Sequence, residues 1–187
     1  MGVQRIIATA LGIVMLLGFS GCDAFGTRQA TGIMVGKLNS YNLALNVLDY
    51  KAVRNLTDWT EEDSDYNAIE TLFDVDRYGS GMGEDFAACT EYIASTILIV
   101  YDITSMTVGN PYTTLDVKYV MTDWQTVYSE PHESCAEALI ALKDSKDKVT
   151  IETTIVFEKD GDDYKLCRLN DLNQVMSFVY SVPVISQ

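Results

Sequence analysis

Sulfur and carboxylate oxygen carry most of the chemistry this sequence can offer. Cys22 closes an apolar run on the small residues Ser20 and Gly21, while Cys89, Cys135 and Cys167 lie far downstream. Those three cannot all pair with one another, no CxxC occurs, and their spacing matches no zinc pattern. Cys89 falls in an amphipathic run and Cys167 in a strand-like one, so both read as small buried hydrophobes. One disulfide among the three stays open in an oxidising compartment. The stretch from Asp74 to Asp85 is acidic and glycine-rich. Asp74, Asp76 and Gly79 match the first, third and sixth positions of a twelve-residue calcium loop, and Ser80 and Asp85 complete a candidate ligand set. Tyr78 at the fifth position, Gly81 at the eighth and the short Asp85 at the twelfth depart from that pattern. The alternative is a flexible acidic loop. The single histidine, His132, lies between Glu130, Glu133 and Cys135. Sequence neighbours at a helix start rarely converge on one ion, and Glu133 suits the first turn of a helix without any metal. No GxSxG elbow or SxxK occurs, and the Gly79 to Gly83 cluster lacks the lysine of a phosphate loop.

The N-terminal residues read as an address. Arg5 precedes an apolar run from Ile6 to Phe19. That run is shorter than the roughly 20 residues a membrane-spanning helix needs. The block Phe19-Ser20-Gly21-Cys22 resembles the lipobox of bacterial lipoproteins, with Phe19 where leucine is commonest. The resemblance implies removal of residues 1–21, a covalent diacylglycerol on Cys22, and a chain held on the outer face of a cell membrane. Two acyl chains anchor stably where one is marginal. The alternative is an ordinary secretory signal. Residues 22–32 are small and polar after the cysteine and read as a flexible tether, leaving a single domain at 33–187. Formal net charge is −14. Cations scattered among more numerous acids leave no basic stripe, which argues against nucleic acid and against direct docking on anionic lipid. Contact with the bilayer is expected through the anchor alone.

Apolar periodicity sets out the domain. Met34, Leu38, Tyr41, Leu45 and Leu48 form one stripe of a first helix from Ile33 to about Asp49, and Asp49 can cap a short second helix holding Val53 and Leu56. A third helix is expected from Tyr66 to about Asp74, capped by Ser64 or Asp65. A fourth opens at Glu84 and Asp85 with Phe86, Cys89, Ile93 and Ile97 on one face. From Leu98 to Val108 the β-branched content predicts a long strand, stopped by Gly109-Asn110-Pro111. Leu115, Val117, Tyr119 and Met121 alternate with polar residues as in a half-buried strand. Pro131 to about Asp144 reads as a helix inserted between strands. Val149, Ile151, Ile155 and Phe157 begin a hairpin that turns at Asp160-Gly161 into Tyr164 to Leu169, and Asn170 or Asp171 can cap a final helix. Helices first and strands after give an α+β fold: amphipathic N-terminal helices packed on a curved antiparallel sheet.

The first helix, the link Asp49-Tyr50-Lys51-Ala52 leading to Leu56, and the closing hairpin resemble the lipoprotein branch of the nuclear transport factor two superfamily, whose cone-like fold is shared with ketosteroid isomerase. The resemblance spans Ile33 to Val179 and implies an apolar mouth between helices and sheet. In such a mouth Asp102, lying within an apolar run, would be desolvated and raised in pKa, and Tyr50 or Tyr119 could donate to a developing oxyanion. If the face carrying Asp102 looks outward, the carboxylate is merely solvated. Three functions follow. The first is a noncatalytic binding module for a small apolar ligand, a peptide or an envelope protein. The second is an isomerase or dehydratase using Asp102 and a tyrosine. The third is a calcium-binding surface module.

Overall fold

The stripe Met34, Leu38, Tyr41 and Leu45 is buried along α1 (Ala24–Asn46). The computed structural model describes residues 24–76 and 84–186, so Cys22 and its surroundings lie outside them. From Ala24 onward the segment read as a flexible tether is helical. The docked stripe downstream has already met the cost of nucleation, and each further residue then adds a hydrogen bond at little expense.

Leu48 takes a left-handed φ of 55° and turns the chain into α2 (Tyr50–Leu56), where the Asp49 carboxylate accepts from the Ala52 amide at 2.9 Å as expected of a cap. Helix α3 (Ser64–Leu72) starts after Asp63, one residue earlier than the caps expected, and buries Ile69, with Phe73 buried just beyond its end. Helix α4 (Glu84–Ser95) buries Phe86, Cys89 and Ile93 on the anticipated face.

Four strands follow: β1 (Leu98–Tyr101), β2 (Tyr112–Thr122), β3 (Lys148–Asp160) and β4 (Asp163–Leu169). They form one antiparallel sheet in the order β1-β2-β3-β4, with β1 and β4 at its edges. Leu115, Val117, Tyr119 and Met121 all turn inward on β2. Gly161, at φ 61°, opens the hairpin turn between β3 and β4, a conformation that glycine takes without the penalty of a side chain. The long strand expected from Leu98 to Val108 ends at Tyr101. Asp102 accepts from the Thr104 amide at 2.9 Å and caps a 3-10 turn over Ile103–Ser105. A short polar side chain that bonds its own backbone competes with the sheet ladder, and here it wins.

Between β2 and β3 lie two helices rather than one. Asp123 caps α5 (Trp124–Ser129), and Ser134 caps α6 (Cys135–Asp144). A short α7 (Leu172–Val175) and a 3-10 turn (Ser177–Tyr180) follow β4. The architecture is therefore α+β, helices ahead of an open antiparallel sheet, with further helices between strands and after the last one. Among the described residues no helix is long and apolar enough to cross a membrane.

Both sheet edges carry local devices. The Asn42 side-chain oxygen accepts from the Ile99 amide at 2.6 Å, and its amide donates to the Ile97 carbonyl at 3.0 Å. Asn46, one turn on, donates to the carbonyls of Ala94 and Ile97, each at 2.8 Å. Two asparagines on α1 thus satisfy the end of α4 and the outer edge of β1, groups that would otherwise template another strand. At the other edge Thr57 bridges Leu166, and the Asp58 amide donates to the Leu166 carbonyl at 3.2 Å.

Candidate functional site

The interior between α1 and the sheet, where an apolar mouth was expected, is filled. Tyr41, Tyr119, Leu115 and Phe157 are all fully buried, and the Tyr119 hydroxyl donates to the Tyr41 hydroxyl at 3.2 Å. The two rings meet edge to face at 6.4 Å. Burial holds both phenols far above their usual ionisation range, and the neighbouring Tyr119 raises Tyr41 further. They are core residues whose one polar atom is satisfied by the other.

The three acid–base candidates are dispersed. Asp102 is exposed, and its bonds to Thr104 lower its pKa instead of raising it. It follows Leu98 and Val100, which face outward on β1, whereas Ile99 points to the core. The solvated alternative therefore holds for Asp102, and the desolvated base that the resemblance implied does not form there. Tyr50 sits at the surface, donating to Glu70 at 3.0 Å with the Arg54 guanidinium 4.9 Å over its ring. Tyr119 is internal. Of the calcium candidates, Ser80 lies outside the described residues and Asp85 stands exposed on the first turn of α4. Asp74 and Asp76 line a broad cleft of about 790 Å³ with Tyr50, Glu70 and Glu91. Among the described residues no three carboxylate, histidine or cysteine side chains converge as metal ligands. His132 is buried with its Nε2 donating to the Val127 carbonyl at 2.8 Å, and its backbone bonds the C-terminal segment through Val184 and Ser186. Its role is to fasten that segment. Cys89, Cys135 and Cys167 are free thiols.

A site that the sequence reading missed lies under Trp59. The indole belongs to the loop between α2 and α3, which Asp63 tightens by accepting from the Thr60 amide at 2.6 Å and from its hydroxyl at 2.9 Å. These bonds lower the Asp63 pKa. On the sheet side, Val156 pairs with Arg168 while Phe157 pairs with Leu166, so Cys167 is the extra residue of a bulge. Its carbonyl accepts from the Trp59 ring nitrogen at 3.4 Å. A bulge re-aims the strand beside it, and here it gives the tryptophan its anchor. The resulting cleft, about 340 Å³, has a floor of Trp59, Ile69, Leu72, Leu169 and Leu172. Asp65, Ala68, Asp171, Asn173 and Gln174 complete its lining. Asp171, at φ 61°, accepts from the Thr153 hydroxyl at 2.6 Å, which fixes that side.

Aromatic and aliphatic surface that shares a cleft with carboxylates suits an apolar body carrying a cation: an indole face attracts positive charge and carboxylates neutralise it. The lining offers no hydroxyl, thiol, imidazole or amine to act as nucleophile. A tryptophan inside the otherwise polar run Thr57-Asp58-Trp59-Thr60-Glu61 was the available signal, since loops place binding residues and an aromatic there needs a reason. Comparison of the chain with family models, with curated proteins and with solved structures finds no match in any of the three.

Proposed function

We propose that this protein is a lipid-anchored module on the outer face of a bacterial membrane, and that it binds without catalysis through the Trp59 cleft. The occupant is a short basic, apolar peptide segment of an envelope partner. The observation that carries the reading is the cleft itself, in which an anchored indole and a leucine-rich floor share the lining with Asp65 and Asp171. The apolar run ending in Ser20-Gly21-Cys22 supports export and a diacylglycerol on Cys22. The net charge of −14 supports a cationic partner, because like-charged competitors are repelled and opposite charges speed encounter. The helices-then-sheet order keeps the likeness to the nuclear transport factor two superfamily in view as an expectation about ancestry.

Only two tryptophans occur, and Trp124 is buried, so a Trp124→Phe chain reports on Trp59 alone. Titration with an acetylated Leu-Lys-Leu-Lys amide should give a saturable change in its emission. Asp65→Asn should weaken binding roughly 3- to 10-fold, as expected for one partly screened charge, and Trp59→Ala should abolish the heat of binding in calorimetry. A Leu-Glu-Leu-Glu control that binds equally well, or emission that never saturates, would refute the reading.

A further inference from the structure

The seam between α4 and α6 brings two thiols together outside the cleft. Cys89, fully buried on α4, donates its thiol hydrogen to the backbone carbonyl of Cys135 at 3.3 Å. Cys135 is the first residue of α6, directly after the capping Ser134, and is almost as buried. The Tyr128 hydroxyl is buried beside the Cys89 sulfur and finds no hydrogen bond of full geometry. The Cys89 sulfur thus already touches the backbone of the residue whose sulfur it would bond. Cys167 stands apart, on the β4 bulge beside Trp59.

We propose that Cys89 and Cys135 are a conditional dithiol pair, which an organic disulfide outside the cytoplasm converts into a covalent clamp between α4 and α6. Cys135, the less enclosed of the two although burial raises its thiol pKa, attacks the donor disulfide as its thiolate. A mixed disulfide forms and one donor thiolate leaves. The Cys89 sulfur then attacks that of Cys135, closing the intramolecular bond and releasing the second donor thiolate. The two thiol protons end on the two donor thiolates, and the two electrons reduce the donor. Burial first, then the neighbouring Cys135, pushes the Cys89 thiol up to about 11. Exchange is therefore slow in the closed fold and runs through openings of the seam. The pair spans 46 residues that include β1, β2 and α5, so closing it restrains the unfolded chain over a long loop.

The proposal is independent of what the cleft binds. The full chain is equilibrated in glutathione buffers from fully reduced to fully oxidised, alkylated, digested and mapped by mass spectrometry. The expected product is a Cys89–Cys135 linked peptide, two hydrogens lighter than the sum of its parts, with Cys167 still alkylated. The melting midpoint should rise by roughly 5–10 °C on oxidation. Since Cys89→Ala and Cys135→Ala alter a packed seam, the quantity read in those variants is the redox dependence of the midpoint, which should vanish in each. Recovery of both thiols alkylated at every poise, or linkage through Cys167, would overturn the proposal.

Discussion

Asp102 shows how one side chain decides between two chemistries. Within an apolar run it has the neighbours of a desolvated base, yet its carboxylate folds back onto the Thr104 amide and stays in water. Asp163 illustrates the same arithmetic across elements: its carboxylate accepts from the Lys37 ammonium at 2.8 Å, joining α1 to the β3–β4 hairpin. That bond, with a second from the Tyr164 amide, lowers the Asp163 pKa. A carboxylate with a folded-state pKa below its unfolded value adds stability above the ordinary carboxylate range, and the contribution fades as pH falls through the lowered value. Lys37→Met should therefore lower the melting midpoint at pH 7 and leave it close to the parent's at the acid end. Thermal melts of both chains across that range check it. A gap that widens toward acid would mean the pair does not act as drawn.

Elements owe their boundaries to capping as much as to hydrophobic period. The helices with strong stripes, α1 and α4, were legible because 3.6-residue spacing survives whatever they pack on, and β2 because its alternation is uninterrupted. The end of β1 was not legible, since nothing in the β-branched run distinguishes a ladder from the turn that Asp102 initiates. Helix α5 was missed because its six residues are too few for a period, although Asp123 ahead of Trp124 was a usable cap signal. The Trp59 cleft lay further out of reach: it needs a bulge at Cys167 and a left-handed Asp171, neither of which shows in a one-dimensional pattern. Asn42 and Asn46 likewise gain meaning only against the partly buried edge of β1. Asn42→Ala leaves the Ile99 amide unpaired, while Asn46 still holds the Ile97 carbonyl, and should cost about 1–2 kcal/mol. Hydrogen exchange at Ile99 should speed up ahead of exchange at Tyr119 on the inner strand. Equal protection at Ile99 in both chains would show that the asparagine edge cap is dispensable.

At the scale of the molecule, a strongly anionic α+β domain is joined to Cys22 by a segment that is helical from Ala24. A helix that begins at Ala24 stands where a flexible tether was expected. Asn42 caps the Ile99 amide at one sheet edge, and Thr57 bridges Leu166 at the other. The proposed acylated sulfur and the proposed occupied cleft are both open to one measurement. Native mass spectrometry of the chain drawn gently from its own membranes reads both at once. It should find a polypeptide that begins at Cys22 with a diacylglycerol attached and carries a small basic species that Trp59→Ala does not retain. A chain still beginning at Met1 without lipid, or an adduct that persists in Trp59→Ala, would contradict it.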